Sequence, residues 1–232
     1  MVRLSCALFL LLIAYAVLAA PVPATKDGWG RPVDPDHDCK ITIKDDTVTM
    51  ELPGGDHELN PKRDRFNAPR LLRDVEGDFV VQVRVSASFR PSAKSSVKGE
   101  APRVAAGLIL IPAEKNSIRL EYGAYRRGEK QRSGFSNRMR GQQLGMNVEL
   151  DWNPSDWVPN EDHIYLRIER EGNWIRNVLS PDGKTWGRYN SSEDAKMPSK
   201  FKVGLAAYST STEPFKVRFD QFKLTRNQKK SK

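Results

Sequence analysis

Hydrophobic and polar residues alternate along many short stretches of this chain. The clearest example lies in Asp162–Arg226, where the chain also turns at Gly172 and Gly183. The apolar positions of its first stretch are Ile164, Leu166 and Ile168. A period of two residues gives a strand one buried face and one solvated face. Short strands joined by glycine-containing turns favour antiparallel hairpins, so the pattern predicts an all-β protein.

The same alternation predicts most of the other strands. They are Cys39–Lys44, Thr47–Leu52, Asp78–Ser88, Arg103–Ile111, Asn116–Arg126, Leu144–Trp152, Phe201–Tyr208 and Phe215–Leu224. Asp45-Asp46 is expected to form a hairpin turn, and the change of phase at Asp220-Gln221 indicates a β-bulge. Pro53–Arg73 is expected to be a long polar connection. About eleven strands in one domain need two packed sheets, so we expect a jelly-roll sandwich of two antiparallel sheets.

The first residues are typical of a secretory signal peptide. Arg3 precedes an apolar run from Leu8 to Leu18, and small residues up to Ala24 provide cleavage sites. The alternative is a membrane anchor, but the run is shorter than the roughly 20 residues of a membrane-spanning helix. We therefore expect a signal peptide at 1–24, one β-sandwich domain at 25–226 and a basic tail at 227–232. The protein is then secreted, or lies in the periplasm or cell envelope, without a membrane span.

Charge and cysteine content narrow the possibilities further. The formal net charge is +9, and Tyr125–Arg140 contains six basic residues against Glu129 alone. Such a patch attracts polyanions, although a solvated loop is an equally open interpretation. The sequence shows no specific nucleic-acid-binding motif. Cys39 is the only cysteine beyond the expected cleavage site, which excludes an intramolecular disulfide, and its phase with Ile41 and Ile43 predicts a small core residue.

Several motifs occur together in a recognisable order. They are Ala106-Gly107-Leu108-Ile109-Leu110, Ser117–Tyr122, Arg167–Gly172, the shortened Asp-box-like turn Ser180–Trp186, and Phe219-Asp220-Gln221-Phe222. This order resembles the concanavalin A-like lectin and glucanase jelly rolls, and among them the uncharacterised "regulation of enolase-like" domain family. The resemblance covers most of Trp29–Arg226. It implies a sandwich with one concave sheet, and it implies no established catalytic residue.

A glycoside hydrolase is one alternative function. Glu149 and Asp151 point to one side of a predicted strand, and retaining hydrolysis needs two neighbouring carboxyl groups. The laminarinase-like glucanases carry these groups on a Glu-x-Asp-x-Glu strand, whereas this chain has Asn153 in the last position. An amide cannot replace the missing acid or base, so we read the pair as solvent-facing and expect no catalytic residues.

The sequence favours an exported, non-catalytic binding module whose ligand is a carbohydrate. An aromatic face stacks on a pyranose ring, and charged side chains fix its orientation. The residues expected to do this on the concave sheet are Arg119, Glu121, Tyr125, Arg167 and Glu169. Arg126 and Arg127 would favour an acidic glycan. The alternatives are cross-strand ion pairs without a ligand, or a cell-envelope protein that binds polyanions through its basic patch.

No cofactor or metal site is expected. His37, His57 and His163 are scattered along the sequence without the spacing of metal ligands. Asp34, Asp36 and Asp38 superficially resemble a calcium-binding loop, but Cys39 stands where that loop needs glycine. The oligomeric state and the identity of the ligand do not follow from the sequence.

Overall fold

The structure is a computed structural model that describes residues 28–60, 63–113, 116–140, 163–193 and 197–226. Fifteen strands lie in these ranges, and none of the described residues forms an α-helix that could cross a bilayer. The strands are β1 (Arg31–Val33), β2 (Lys40–Lys44), β3 (Thr47–Leu52), β4 (Leu59–Asn60), β5 (Arg65–Phe66), β6 (Arg70–Glu76), β7 (Phe79–Ala87), β8 (Arg103–Ile111), β9 (Ser117–Arg127), β10 (Lys130–Arg140), β11 (His163–Glu171), β12 (Trp174–Ser180), β13 (Gly187–Glu193), β14 (Lys200–Ser209) and β15 (Phe215–Arg226). The predicted signal peptide, the strand Leu144–Trp152 and the basic tail lie outside the described residues.

Two large sheets account for most of these strands. Sheet I has six strands in the order β1-β6-β14-β8-β9-β10, and sheet II has seven in the order β13-β12-β11-β7-β15-β3-β2. Neighbouring strands pair antiparallel throughout, and β4 pairs with β5 as a separate small hairpin. Most neighbours are distant in the sequence, as in β14 beside both β6 and β8. The predicted jelly-roll sandwich of two antiparallel sheets is therefore confirmed.

The main core lies between the two sheets. Leu166 of β11 is paired with Val83 of β7, and both are fully buried in it together with Leu108 and Leu120 of sheet I. Burial of apolar surface of this extent is the main favourable contribution to folding. Because each core residue is followed by one that points away from the core, every strand also contributes to an outer face.

A second apolar layer covers the outer face of sheet I. Ala105 and Ile109 of β8 and Tyr208 of β14 pack there beneath Leu59 and the partly buried Phe66 of the small hairpin. This layer explains why Arg103–Ile111 is apolar at nearly every position, as expected for a central strand. Sheet I is therefore buried on both sides over much of its centre.

Two segments outside the predicted strands contain strands. Pro53–Arg73, expected to be a polar connection, includes β4, β5 and the start of β6. The sequence of β6 does not alternate between apolar and polar residues, because Leu71 packs in the main core and Leu72 packs in the outer apolar layer. In the basic segment, Lys130–Arg140 forms β10 and pairs with β9 along eleven residues, because the backbone ladder holds this edge strand despite its few apolar residues.

The predicted β-bulge is present in the last strand. The pairing of β15 with β7 shifts between Asp220 and Lys223, and Gln221 has a positive φ of 52°. The bulge keeps Phe219 in the core before it and brings Phe222 to the same side after it. Phe222 then stacks on Trp29, with ring centroids 5.1 Å apart.

The turn Ser180–Trp186 is held by one carboxylate. Asp182 accepts hydrogen bonds from the backbone N–H groups of Thr185 at 2.7 Å and Lys184 at 2.8 Å, and from the Ser180 hydroxyl at 2.9 Å. These donors, the Thr185 and Lys184 N–H groups foremost, lower the pKa of Asp182 from an ordinary value near 3.8 to about 2. Gly183 has a φ of +73°, and its backbone approaches the Tyr165 ring too closely for any side chain.

We expect this carboxylate to make stability depend on pH. A group whose pKa is lower in the folded state stabilises the fold above its unfolded pKa, and the contribution disappears as pH falls. The free energy of unfolding should therefore decrease between about pH 4 and pH 2, and less steeply in Asp182→Asn. Urea unfolding at several pH values measures this. Asp46→Asn, in the exposed turn between β2 and β3, is the matched control and should keep the slope of the parent protein.

Candidate functional site

The five residues predicted to bind a ligand are divided between the two sheets. Arg119, Glu121 and Tyr125 lie on β9 of sheet I, while Arg167 and Glu169 lie on β11 of sheet II. All five point away from the main core, as the alternation predicts. Because the core separates the two outer faces, the expectation that one concave sheet carries all five is wrong. Whether any of them binds a ligand stays a prediction.

On sheet I a folded segment covers the middle of the outer face. We call this segment, 53–60 and 63–69, the roof. Its backbone continues along the edge of β14, where the N–H of His57 donates to the carbonyl of Ser209 at 2.8 Å and the return bond measures 3.0 Å. Within the roof, Asn67 accepts from the N–H of Glu58 at 3.0 Å and donates to the carbonyl of Asp56 at 2.6 Å. These hydrogen bonds fix the position of the roof on the outer face of sheet I.

Beneath the roof lies a buried group of charges, which we call the ion cluster: Glu58, Arg103, Arg119 and Glu121. Arg103 contacts Glu121 at 2.9 Å and Glu58 at 3.2 Å. Arg119 lies 3.6 Å from Glu121 and 3.9 Å from Glu58, and its guanidinium covers the Tyr208 ring at 4.7 Å. Arg119 and Glu121 have no exposed surface at all. A ligand on this face would meet the roof first.

The ion cluster keeps its charges in a site that water does not reach. Burial alone would lower the pKa of Arg119, but the carboxylates of Glu121 and Glu58 reverse this effect and raise it. Burial also raises the pKa of the Tyr208 phenol. Two guanidinium groups face two carboxylates, so the formal charges balance. The cluster thus connects the roof to the sheet by electrostatics in a low-dielectric environment.

On sheet II the outer face is open and carries a strip of polar and aromatic side chains. The guanidinium of Arg167 lies 3.6 Å from the centre of the Trp186 ring. Arg167 also donates to Gln82 at 2.9 Å and lies 3.6 Å from Glu169. Arg167 and Glu169 keep 23% and 30% of their side-chain surfaces exposed, so solvent or a ligand can reach them.

A second tryptophan lies at the other end of this strip. Trp174 is 41% exposed, an unusual exposure for a large apolar side chain. It pairs with Glu171 on β11, while Val178, four residues along β12, pairs with Arg167, whose guanidinium lies against Trp186. At about 3.3 Å per residue the backbone positions of Trp174 and Val178 are about 13 Å apart along the strand, so Trp174 and the Arg167–Trp186 pair lie at different points of the strip. We call Gln82, Arg167, Glu169, Trp174 and Trp186 the tryptophan strip.

Trp174 did not emerge from the sequence as a candidate. The signal was present, since Trp174 alternates with Ile175 and so belongs to the outward-facing positions of its strand. Two other aromatic residues at outward-facing positions are covered. Tyr165 is 7% exposed beneath the Gly183 turn, and Tyr208 is 1% exposed beneath the roof.

The end of the β9–β10 hairpin carries the basic patch. Arg127, Lys130 and Arg132 are exposed there, and Arg126 donates to the carbonyl of Gly128 at 3.2 Å. Tyr125 is partly exposed at the same end of β9 and pairs with Arg132 across the ladder. The patch is therefore a cationic hairpin end rather than an irregular loop.

A groove of about 930 Å³ lies on the side of sheet I next to the roof. Its floor is mostly aliphatic, with Val33, Leu59, Leu72 and Ile111 beside Phe66. Charged residues stand at its rim, where Lys202 and Asp74 pair at 2.9 Å. A floor of this kind offers a sugar few hydrogen-bond partners, so it suits a carbohydrate less well than the tryptophan strip does.

Potential metal-ligating atoms converge at one further place among the described residues. Those of Asp38, Cys39 and His57 lie within 4.8 Å of one another at the edge of the roof. The acidic pair Glu149 and Asp151, predicted as the alternative catalytic residues, lies outside the described residues.

Comparison with solved structures places the chain among jelly-roll sandwiches. A functionally unknown protein from Saccharomyces cerevisiae aligns with a TM-score of 0.64 and 19% identity over 88% of this chain and all of that chain. The exoplasmic/lumenal domain of VIP36, in a Ca²⁺/Man3GlcNAc-bound form, aligns with 0.50 and 10% over 84% of each chain. The PL7 alginate lyase AlyA1 from Zobellia galactanivorans aligns with 0.50 and 12% over 80% of this chain and 83% of that one.

These similarities show a shared fold, since the sequence identities are far too low to show more. The shared fold is a jelly-roll sandwich of two antiparallel sheets. No protein-family model and no curated protein matches the sequence. The resemblance to the "regulation of enolase-like" family therefore stays a resemblance.

The ion cluster predicts a strong coupling between its members. Arg119→Leu or Glu121→Leu alone should lower the free energy of unfolding by about 3–5 kcal/mol, because each leaves the buried cluster with one uncompensated charge. The double variant should lose clearly less than the sum of the two. Chemical denaturation measures all three. The exposed pair Lys216→Leu and Glu51→Leu is the control and should show almost no coupling. Additive losses at Arg119 and Glu121 would contradict the ion pair.

Proposed function

We propose that this protein is an exported, non-catalytic module that binds an extended carbohydrate along the tryptophan strip of sheet II. The observation that carries the proposal is that Trp174 shares one open sheet face with Arg167 and Trp186, with its backbone about 13 Å along the strand from the position that pairs with Arg167. Export would use the predicted signal peptide. The solved relatives support a carbohydrate ligand only by analogy of fold, because VIP36 was solved with bound Man3GlcNAc and AlyA1 is an alginate lyase.

The strip offers both kinds of contact that a sugar needs. Trp174 presents an exposed apolar ring, and Trp186 is held in place from one side by Arg167. Gln82 and Glu169 fix the Arg167 guanidinium, so its remaining donors have a defined direction. Pre-organised side chains lose little conformational entropy when a ligand binds. The spacing along the strand between Trp174 and the position that pairs with Arg167 suits a short oligosaccharide better than one monosaccharide.

The charges of the strip favour a neutral glycan. Arg167 lies beside Glu169 on β11, while Arg176 on β12 pairs with Glu169 across the ladder and lies 3.4 Å from Glu171. This part of the face is therefore balanced in formal charge. An acidic glycan would gain no net attraction here, whereas hydroxyl groups can pair with both the cationic and the anionic side chains.

A glycan array with neutral and sulfated oligosaccharides tests the proposal, followed by calorimetry on the strongest neutral ligand. Trp174→Ala and Trp186→Ala should each weaken its binding at least tenfold, equivalent to about 1.4 kcal/mol, because each removes a stacking surface. Tyr125→Ala, an aromatic truncation on the other sheet, is the matched control and should retain parental affinity. Binding that depends on Tyr125 and survives both tryptophan changes would overturn the proposed location.

A second candidate function rests on the β9–β10 hairpin. Arg127, Lys130 and Arg132 project from its end as exposed cations against Glu129 alone. Such a surface would bind anionic polymers of the cell envelope through long-range attraction and release of counterions. Its footprint is on sheet I and does not overlap the tryptophan strip.

Salt separates this second function from the first. Binding to a sulfated polysaccharide such as heparin should weaken at least tenfold as ionic strength rises from about 0.01 to 0.15 M, because exposed charges are then screened. Replacing Arg127, Lys130 and Arg132 by alanine should abolish that binding in surface plasmon resonance. The triple variant of Lys40, Lys44 and Lys216 removes equal charge from sheet II and should bind normally. An equal loss in both triple variants would mean that net charge alone determines binding.

A further inference from the structure

We propose that Asp38, Cys39 and His57 form a binding site for a divalent transition metal, with Zn²⁺ as the best match. The three residues supply a carboxylate oxygen, a thiolate sulfur and an imidazole nitrogen. Zinc accepts these three ligand types, whereas Ca²⁺ and Mg²⁺ prefer oxygen alone. The site is separate from the tryptophan strip and does not depend on the proposed carbohydrate binding.

Two of the three separations between the ligand atoms already fit a shared ion, and the third, between His57 and Cys39, is within 4.8 Å. His57 Nε2 lies 3.2 Å from each carboxylate oxygen of Asp38, and Cys39 Sγ lies 3.4 Å from Asp38 Oδ1. Around a tetrahedral zinc ion with bonds of about 2.0–2.3 Å, neighbouring ligand atoms are separated by roughly 3.2–3.8 Å. Binding would therefore need only small side-chain adjustments.

His57 is held rigidly by the surrounding fold. Its backbone bonds to Ser209 in both directions, and the residue as a whole is buried. The neighbouring Glu58 belongs to the ion cluster, so the position of His57 follows from the charges beneath the roof. A ligand fixed before binding favours high affinity, because little freedom is lost.

The segment that carries the other two ligands is anchored independently. Asp36 accepts from the side-chain amide of Asn67 at 2.6 Å, which ties the segment to the roof. Asp34 accepts from the backbone N–H of Cys39 at 3.0 Å through Oδ2. Its other oxygen, Oδ1, is buried and has no hydrogen-bond partner among the described residues. A buried carboxylate oxygen without a hydrogen-bond partner favours the binding of a cation at this place.

The charges around the site also favour a cation. Two carboxylates lie beside Cys39, since Asp34 accepts from its backbone N–H and Asp38 contacts its sulfur. Zn²⁺ binds cysteine as the thiolate, so binding must displace the thiol proton, and affinity should increase with pH.

The three ligands leave a further coordination position open. The Asp38 side chain is 44% exposed, whereas that of His57 is 3% exposed, so the ion would be enclosed on one side and accessible on the other. Water or a ligand atom from outside would complete the tetrahedron. The separation of 19 residues between Asp38 and His57 explains why sequence spacing does not reveal this site.

Metal binding to the purified, chelator-treated protein tests the proposal. Titration with Co²⁺, a spectroscopic substitute for Zn²⁺, should produce a thiolate-to-metal charge-transfer band at one equivalent. Excess Zn²⁺ should remove this band and raise the melting temperature, because the ion stabilises only the folded state. Calorimetry at pH 6 and pH 8 should show tighter Zn²⁺ binding at the higher pH.

Variants identify the ligands. Cys39→Ser should abolish the band, and Asp38→Asn should weaken Zn²⁺ binding at least tenfold, while circular dichroism shows that both remain folded. His57→Ala also removes the Asp38 contact, so His57→Gln provides a second variant of similar size. Asp46→Asn and His163→Ala are the controls outside the site and should bind like the parent. Binding of no ion at micromolar concentrations, or a band that survives Cys39→Ser, would overturn the proposal.

Discussion

A strand has two faces, and in this protein the core between the sheets occupies one face of almost every strand. Leu166, Val83 and their partners lie in that core, so the residues that alternate with them point to one of two outer surfaces. Both sheets and the core lie between these two surfaces, so one ligand cannot contact both. The fold therefore separates its chemistry into two regions: a covered one on sheet I and an open one on sheet II. The charged side chains beneath the roof on sheet I are buried and paired with one another, whereas Arg167 and Glu169 on sheet II remain accessible to solvent.

The covered region depends on compensation of buried charge. Arg119 and Glu121 have no exposed surface, and Glu58 reaches them from the roof. Removing any one member would leave the others costly to bury, so the roof, the sheet and the ion cluster form one cooperative unit. His57 follows Glu58's position because the two are adjacent. The buried ion pairs of Glu58 thus help to fix the position of the His57 imidazole at the edge of the roof.

Alternation along the chain is enough to identify the sandwich, the faces of β7 and β11, the bulge in β15 and the turn at Asp45-Asp46. It is not enough to identify β6, because Leu71 and Leu72 are buried on opposite sides of the sheet and the hydrophobic pattern therefore loses its period of two. It also cannot show that Arg119 and Glu121 are covered, since a charged residue on an outer face is normally solvated. The roof that covers them is distant in sequence. The contact of His57 with Asp38 is missed for the same reason.

The extra residue in β15 has an effect on the pairing of the whole strand. Before Gln221 the odd-numbered residues Val217 and Phe219 face the core, and after it the even-numbered Phe222 and Leu224 do so. If the strand slid by one position along β7, the lysine at 223 would enter the interior and a phenylalanine would enter water. The β-bulge therefore fixes the register of β15 against β7, because only one register buries the apolar residues on both sides of Gln221. In that register Phe222 is in position to stack on Trp29.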